Sequence, residues 1–475
     1  MGCCTVNPDN QFDLIIIGGG SAAFASAIKA NNQEVKTLVV NGGLPLGGTC
    51  VNVGCVPSKI LIRAGESIHK ASHSPFRGIT PNKPQVNFKE IILETKELVA
   101  DMQKRKYLDL LEGLPFVKVI EGFAKFVGDN TIEIEGEQYQ GLKVIIATGA
   151  STSIPPIEGL DTVPYLNNIS LFELEELPES LVILGAGYIA LEIAQAYNRL
   201  GSKVTILQRS ANILSKQSKD VSDEITKHLS DDGLTILTET SINKVWKDEE
   251  RIRINYNHKG TIETISASHL LVATGTKANT ENLGLDLTGV KVDEKGYIVV
   301  DSFLATSNPG IYAVGDVTSL PAYVYTAAYE GGIALQNALN EPKQEVNFTA
   351  LPWVVFTDPQ VAGVGIDEKE AEEKRIPFQA TTLPLKEVPR SIAALDTRGF
   401  IKLIRNTETD LLIGARIVAP EGSELAMEIS LAIKYKIPVQ ELVGMFHPYL
   451  TLSEGIKLAA LSFTMDVHKM SCCAS

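Results

Sequence analysis

The stretch DLIIIGGGSAA, residues 13–23, decides the fold class of this chain. Its apolar and largely β-branched first half predicts a buried strand, and its glycines predict a tight turn that leads into a helix. Gly18, Gly20 and Ala23 match the pattern G-x-G-x-x-G/A in the strand, turn and helix context that gives this pattern its meaning. Because backbone N–H groups at such a helix start can bind a pyrophosphate, we predict a dinucleotide-binding domain.

A second strand, residues 37–40, follows at the distance expected for this fold and leads into Asn41. The usual residue at this strand end is an Asp or Glu that binds a ribose hydroxyl. We therefore expect Asn41 to make a weaker or a different contact with the ribose.

The same pattern recurs in LVILGAGYIA, residues 181–190, and is again followed by a helix and a strand. Two such fingerprints in one chain are much stronger evidence than one. Each is also followed by an apolar strand that ends in Ala-Thr-Gly, at residues 147–149 and 273–275. The sequence therefore contains an internal structural repeat.

These observations predict an α/β protein with two Rossmann-like dinucleotide-binding domains, the second inserted in the first. From about residue 346 the composition changes, and alternating segments indicate antiparallel strands followed by helices, which predicts a third, α+β domain. The predicted boundaries are 1–150 and 278–345 for the first domain, 151–277 for the second and 346–475 for the third.

The composition is that of an ordinary globular chain. Of 475 residues, 43 are Lys or Arg and 57 are Asp or Glu, so the net charge is −14, and no basic run is present. A nucleic-acid or anionic-membrane partner needs a positive surface, and we predict neither. The longest apolar stretches are shorter than the ~18 residues of a membrane span, and the N-terminus lacks a signal-peptide pattern. We expect a soluble, cytoplasmic protein.

All six cysteines of the chain occur in pairs. They are too sparse for a secreted disulfide scaffold, so a cytosolic redox role or a soft-metal role is expected. The pairs are Cys3 with Cys4, Cys50 with Cys55, and Cys472 with Cys473.

The central pair lies in GGTCVNVGCVPSK, residues 47–59. Pro57 predicts that a helix begins here, and a helix dipole favours the thiolate form of a cysteine at its start. Lys59 follows Cys55 by four residues and shares its helical face. A structural disulfide and half of a zinc site are the alternatives, but no second cysteine pair with zinc spacing lies nearby.

Together with YAVGD, residues 312–316, these motifs resemble the flavoprotein disulfide oxidoreductases over nearly the whole chain. The resemblance implies that the first fingerprint binds FAD, with Asp316 near the ribityl chain, and that the second binds a nicotinamide cofactor. It also implies a redox dithiol formed by Cys50 and Cys55, and an ion pair between Lys59 and Glu192 close to the flavin. The implied cofactor-binding residues are Gly18, Gly20, Ala23, Asn41, Gly48, Thr49, Lys59, Thr148, Gly149, Gly185, Gly187, Tyr188, Ala190, Arg209, Lys216, Gly275, Gly315 and Asp316.

The nicotinamide cofactor is predicted to be NADPH. The strand of the second fingerprint ends in Leu207-Gln208-Arg209, with Lys216 beyond it, and no acid is present to bind a ribose 2′-hydroxyl. A cation at this position favours a 2′-phosphate. A solvated strand end is the alternative interpretation of Arg209.

The C-terminal segment separates the branches of the family. Members that reduce disulfides resemble one another in a His-Pro-Thr-x-x-Glu segment, whereas here Glu454 follows Tyr449 by five residues and His447 by seven. If the segments are matched on the glutamate, Tyr449 takes the position of the base, and a phenol is a poor proton shuttle at neutral pH. Tyr449, Tyr325 and the terminal pair Cys472 and Cys473 resemble the branch that reduces mercury(II).

This resemblance implies hydride transfer from NADPH to FAD and reduction of a Hg(II)-thiolate substrate to Hg(0). Cys50, Cys55, Cys472 and Cys473 would bind the metal, while Tyr325 and Tyr449 would line its inner site. It further implies a homodimer in which the tail of one subunit acts on the dithiol of the other.

Two rival functions remain open. One is a low-molecular-weight disulfide reductase of the glutathione reductase or dihydrolipoamide dehydrogenase type, which would use His447. The other is a non-catalytic metal buffer or thiol sensor. Cys3 and Cys4 are interpreted either as a minimal thiol-delivery site or as incidental thiols at a frayed terminus.

Overall fold

The first apolar run forms the strand Gln11–Ile17, which lies at the centre of a seven-stranded sheet. The protein is described here by a computed structural model that covers residues 7–339 and 342–466. Cys3, Cys4, Cys472 and Cys473 therefore lie outside the described residues. The other parallel strands of this sheet are Thr37–Asn41, Val117–Glu121, Glu137–Ile146 and Ile311–Ala313, and Lys125–Phe126 and Thr131–Ile134 extend it in antiparallel fashion.

This sheet is buried on both faces, as its continuous apolar strands require. Leu14 and Ile16 pack on one face against the helices Ser21–Asn31 and Val324–Leu339, while Ile15 and Ile17 pack on the other. The remaining α-helices of this part of the chain are Gly48–Val53, Cys55–Ser72, Phe88–Gln103 and Asp109–Leu111, and a π-helical turn, Lys104–Leu108, joins the last two.

The second fingerprint forms a separate four-stranded parallel sheet. Its strands, in spatial order, are Thr235–Leu237, Lys203–Leu207, Ser180–Leu184 and His269–Val272. The helices Tyr188–Leu200 and Lys219–Asp231 belong to the same part of the chain. An antiparallel sheet of Thr240–Asp248, Arg251–His258 and Thr261–Ala267 packs beside it.

Two short strands show how the second unit is inserted in the first. Ala150–Thr152 pairs in antiparallel fashion with Thr276–Ala278, so the chain leaves the first unit and returns to it side by side. Ile311–Ala313 then pairs with residues 144–146 of the first sheet. The predicted fold class is confirmed, while the domain boundaries stay a prediction.

The C-terminal region has the predicted α+β architecture. Its five-stranded antiparallel sheet runs, in spatial order, Pro352–Val355, Gln360–Gly365, Leu412–Ala419, Phe400–Asn406 and Phe378–Pro384. Its helices are Glu368–Glu373, Pro389–Ala394, Ala426–Lys434, Val439–Gly444 and Glu454–Leu461. None of the helices in residues 7–339 and 342–466 is both long and apolar enough to cross a membrane.

A buried lysine joins the C-terminal sheet to the second unit. The side chain of Lys402 is 2% exposed, and its Nζ lies 2.8 Å from a carboxylate oxygen of Asp220 and 2.7 Å from one of Glu368. A buried ammonium is tolerated only when it is paired, so this contact fixes the position of the second unit on the C-terminal region.

Candidate active site

The two central cysteines lie on two consecutive helices. Cys50 belongs to Gly48–Val53, and Cys55 is the first residue of Cys55–Ser72. Gly54 separates the helices, and a Cβ atom at this position would lie 2.8 Å from the carbonyl oxygen of Thr49. The glycine is therefore required for the sharp step in the chain that brings the two thiols together.

Neither central thiol is in a disulfide, and the two form a hydrogen bond. The Cys50 thiol donates to Cys55 and lowers the pKa of Cys55 to about 7, with a further contribution from Lys59. The same hydrogen bond and burial raise the pKa of Cys50. Cys55 is therefore the thiol of the pair that ionises near neutral pH, while Cys50 stays protonated.

The predicted ion pair between Lys59 and Glu192 is present. Lys59 Nζ lies 2.7 Å from Glu192 Oε2, and the Glu192 side chain is 7% exposed. Glu192 Oε1 accepts a hydrogen bond of 2.9 Å from the backbone N–H of Phe356, whose ring centroid lies 4.5 Å from Lys59 Nζ. A buried carboxylate thus holds the lysine beside the thiols and ties both to the C-terminal region.

Stacked aromatic side chains border the dithiol. The rings of Tyr323 and Tyr325 are parallel with centroids 5.2 Å apart, and Tyr188 stacks on Trp353 at 5.7 Å. The Tyr325 hydroxyl donates to the carbonyl oxygen of Pro352 at 2.6 Å. Burial raises the pKa of Tyr325 to about 12, with smaller contributions from Tyr188 and Cys55, so this phenol stays neutral beside the thiolate.

The sequence did not single out Tyr323 or Trp353. Tyr323 lies two residues before Tyr325 and hydrogen-bonds to the hydroxyl of Tyr188, which also accepts from Gln217 Nε2 at 3.0 Å. The repeated tyrosine in Tyr-Val-Tyr was a usable signal for Tyr323, because a residue just before the helix Val324–Leu339 can turn its ring onto that of Tyr325. Nothing in the sequence around Trp353 marked it.

The first glycine-rich loop fits a dinucleotide. Gly18 has a φ of +132°, and a Cβ atom there would lie 2.2 Å from the carbonyl oxygen of Ala147. A Cβ atom at Gly48, which has a φ of +61°, would lie 2.8 Å from Gly20 Cα. Gly20 precedes the helix Ser21–Asn31 with no side-chain cap, so the first N–H groups of this helix remain available to an anion.

Two acidic side chains, Asp316 and Glu330, lie at Gly315, which packs close to Ala22 in the helix that follows this loop. Asp316 is half-buried, and burial raises its pKa. Glu330, which the sequence did not indicate, is fully buried, accepts from the Gly315 backbone N–H at 2.7 Å and has no partner for Oε1. Burial raises the pKa of Glu330 to about 7. The buried Oε1 of Glu330, which lies next to Gly315 and has no hydrogen-bond partner among the described residues, can therefore accept a hydrogen bond from a polar group of a bound cofactor.

The second loop repeats this geometry. Gly185 has a φ of +102°, and a Cβ atom at this position would lie 2.5 Å from the carbonyl oxygen of Ala273. Gly187 precedes the helix Tyr188–Leu200, whose first N–H groups have no side-chain cap. Arg209 and Lys216 are exposed, and neither forms an ion pair with any part of the chain that the structure describes. Both cations can therefore approach a phosphate group.

The Ala-Thr-Gly segments lie where the chain crosses between the two units. Thr148 donates to the carbonyl oxygen of Asn279 at 2.8 Å, and Asn279 Nδ2 donates back to the carbonyl oxygen of Thr148 at 2.9 Å. Gly149 and Gly275 have positive φ values of +68° and +122°. Thr148 is thus engaged with the protein itself, and the glycines permit the turn between units.

At the C-terminal segment, His447 does not pair with Glu454. The partner of His447 is Glu428, with 2.8 Å between Nε2 and Oε1, and Nδ1 lies 3.3 Å from the carbonyl oxygen of Met445. The His447 side chain is only 5% exposed. Glu454 instead accepts from the backbone N–H of Leu450 at 3.2 Å, next to Tyr449, which is 50% exposed.

No group of three or more His, Cys, Asp or Glu side chains within 7–339 and 342–466 is arranged to hold a metal ion. The chemistry available in this part of the chain is therefore that of a two-thiol site. Such a site can exchange disulfides or bind a soft metal ion through sulfur.

Family profiles match almost the whole chain. Residues 12–331 match a profile described as pyridine nucleotide-disulphide oxidoreductase, and residues 351–460 match the dimerisation domain of the same family. The mercuric reductase of Staphylococcus aureus is 42% identical over 98% of this chain and 85% of its own length. The mercuric reductase of Streptomyces lividans is 40% identical over 98% of both chains.

Solved structures of the same family have the same fold. The HOCl-induced flavoprotein disulfide reductase RclA of Escherichia coli, in a Cu(II) complex, superposes with a TM-score of 0.86, 28% identity and coverage of 96% of this chain and 100% of its own. LpdA of Mycobacterium tuberculosis gives a TM-score of 0.85 at 27% identity, with coverage of 95% and 100%. These matches confirm the predicted resemblance, the enzyme class and the cofactors, FAD and NADPH.

Proposed function

This chain belongs to the pyridine nucleotide-disulphide oxidoreductase family, and we propose that it reduces Hg(II) to Hg(0) with electrons from NADPH. A disulfide reductase needs a pair of thiols and a histidine that can give a proton to the leaving thiol. The observation that carries this proposal is that the chain has the thiol pair, but its candidate histidine, His447, is not available. The thiols of Cys50 and Cys55 are together, but both ring nitrogens of His447 are engaged within its own chain. Reduction of a metal ion needs no proton for a leaving thiol, so it does not depend on this histidine.

The dithiol suits a soft metal ion. The Cys55 thiolate attacks Hg(II) first, and Cys50 binds second because its proton must leave. Lys59, fixed by Glu192, offsets the negative charge of the two thiolates. Bound FAD would take the hydride from NADPH and pass its electron pair to the metal, which gives the balance NADPH + Hg(II) → NADP⁺ + H⁺ + Hg(0).

An open groove of about 390 Å³ lies beside this site, because its lining includes Tyr107 and Tyr325, which both interact electrostatically with the Cys55 thiol. Its lining also includes Ser21 and Phe24. Tyr107 lies close enough to both thiols for their charge to raise its pKa, in addition to the effect of burial. We propose that the metal enters here, with Tyr325 in the wall of the inner site. A neutral phenol at this position neither repels a thiolate complex nor competes with sulfur for the metal.

We also propose a homodimer whose active site is shared between subunits. The matched dimerisation domain carries exposed apolar side chains at Met427, Leu431, Tyr435, Met445 and Phe446, which favours burial against a second copy. Tyr449 follows in the same exposed segment. Cys473 follows Phe463 by ten residues, which span at most about 35 Å when extended, and we propose that this tail brings Cys472 and Cys473 to the dithiol of a second subunit.

The tail is tested by separating metal delivery from metal reduction. We expect Cys472→Ala/Cys473→Ala to oxidise NADPH at the parental rate with mercuric bromide. With mercury-bis-glutathione, we expect its rate of NADPH oxidation to be at least tenfold lower than that of the parent. The reason is that a metal held by two bulky thiolates moves only when another thiolate attacks it. Cys3→Ala/Cys4→Ala is the matched control and distinguishes the tail from any other cysteine pair. Equal, parental rates of the tail variant with both mercury compounds would contradict the relay.

Disulfide reduction is the second candidate, favoured by the solved neighbours that are flavoprotein disulfide reductases. His447→Ala separates the two functions, because only a disulfide reductase needs a proton at the leaving sulfur. We expect this variant to reduce Hg(II) at nearly the parental rate. Faster turnover of oxidised glutathione than of Hg(II) in the parent, lost in His447→Ala, would replace the mercury proposal with the disulfide one.

Because the proposed reaction consumes NADPH and needs reduced thiols, we propose that the enzyme acts in the cytoplasm.

A further inference from the structure

Asn41 occupies the strand end where an acid normally binds the ribose of the adenosine half. The structure shows that this asparagine is 3% exposed and that both N–H donors of its amide are hydrogen-bonded within the protein. Nδ2 donates to the carbonyl oxygen of Leu44 at 3.1 Å and to Glu121 Oε2 at 2.8 Å. Its Oδ1 lies 2.0 Å from the position of a virtual Cβ on Gly19, so it is packed against the glycine-rich loop.

A carboxylate is nevertheless present at this edge of the sheet. Glu121 is the last residue of the strand Val117–Glu121, which lies beside Thr37–Asn41, and the two terminal residues are paired in the parallel register. The carboxyl ends of parallel strands meet at one edge, and a dinucleotide binds just outside that edge. Glu121 therefore provides, at the end of the neighbouring strand, the carboxylate that is missing at Asn41.

Glu121 is exposed, whereas Asn41 is buried. One carboxylate oxygen of Glu121 accepts from the Asn41 amide, and the other makes no hydrogen bond to any residue within 7–339 and 342–466. The side chain is thus held by its neighbour and still offers an acceptor to a ligand. Ribose hydroxyls are donors that a carboxylate binds strongly, since a hydrogen bond to a charged acceptor is stronger than a neutral one.

We propose that Glu121, held in place by Asn41, binds the adenosine ribose hydroxyls of FAD in this protein. Asn41 is a positioning residue that acts through Glu121, because one of its two N–H donors holds the Glu121 carboxylate and the other is taken by the carbonyl oxygen of Leu44. The inference concerns the binding of FAD and does not depend on which substrate the enzyme reduces. It also explains why an amide is tolerated at the end of the second strand.

The experiment measures release of FAD from the holoenzyme on dilution, followed by the recovery of flavin fluorescence. We expect Glu121→Ala to weaken FAD binding at least tenfold, the loss that corresponds to one charge-assisted hydrogen bond. Glu121→Gln, which keeps an acceptor without the charge, should lose less. Glu133→Ala is the matched control, since Glu133 is a glutamate of the same sheet on the strand Thr131–Ile134, away from this edge.

Two ligands separate a ribose contact from a general structural effect. The enzyme is reconstituted with FAD that carries 2′-deoxyadenosine and, separately, with riboflavin 5′-phosphate, which lacks the adenosine half. The deoxy cofactor should bind more weakly than FAD to the parent and no more weakly than FAD to Glu121→Ala, and riboflavin 5′-phosphate should not distinguish the two proteins. Parental FAD affinity in Glu121→Ala would overturn the proposal. Equal losses for all three flavins, which indicate a purely structural role, would overturn it as well.

Discussion

The hydrogen bond from Cys50 sets the charge of the reactive thiol, and its removal gives a measurable shift in pH dependence. The pKa of Cys55 falls from an ordinary 9.0 to about 7, and the hydrogen bond from Cys50 is the largest cause. At pH 7 a thiol with a pKa near 7 is about half ionised, whereas one with a pKa near 9 is about 1% ionised. Loss of the donor should therefore remove most of the thiolate at neutral pH.

The matched variants are Cys50→Ser, which keeps a hydroxyl donor, and Cys50→Ala, which has none. In both, Cys55 is a single thiol, and if FAD binds beside it as we expect, its thiolate should give a long-wavelength charge-transfer band with the oxidised flavin. Because only the deprotonated thiolate gives the band, the band is present above the midpoint and is lost as the pH falls and the thiol is protonated. The midpoint should be near pH 7 in Cys50→Ser and higher by about one pH unit or more in Cys50→Ala, where Lys59 still favours the thiolate.

Absorbance titrations of the two holoenzymes between pH 5 and 10 measure this difference. Cys55→Ser should lack the band at every pH and identifies the thiolate that produces it. The same midpoint in Cys50→Ala and Cys50→Ser would refute the reasoning, because the hydrogen bond would then not control the ionisation of Cys55.

Two further changes test the cofactor preference and the contact between units. Arg209→Ala should raise the KM for NADPH about tenfold without changing that for NADH, since one charge-assisted phosphate contact is lost; a parent with equal kcat/KM for both cofactors would contradict this. Lys402→Met should lower the free energy of unfolding by about 2 kcal/mol, because Asp220 and Glu368, which are partly exposed, lose a charged hydrogen-bond donor. Urea unfolding monitored by flavin fluorescence measures this loss, and Lys369→Met, which removes an exposed lysine with a carboxylate at 3.9 Å, should change it by less than about 1 kcal/mol. A parental midpoint and slope for Lys402→Met would show that the buried contact is not stabilising.

The sequence by itself determined the fold class and the internal repeat. These features depend on local rules: a buried strand, a turn that only glycine can make, and a helix start follow one another within about a dozen residues. Gly18 and Gly185 have the positive φ values that these turns need, so the pattern specifies the backbone directly. The pairing of Lys59 with Glu192, 133 residues apart, came from family resemblance and is present in the structure.

Only the tertiary structure decided how distant side chains combine. Glu428 lies 19 residues before His447 and engages it, and Glu121 lies 80 residues after Asn41 and takes its amide. No local periodicity records such contacts, because they arise when separate strands and helices pack at a common edge. The same holds for the charge of Cys55, since its pKa depends on the distance and direction of the Cys50 thiol and of Lys59 once the two helices have folded against each other.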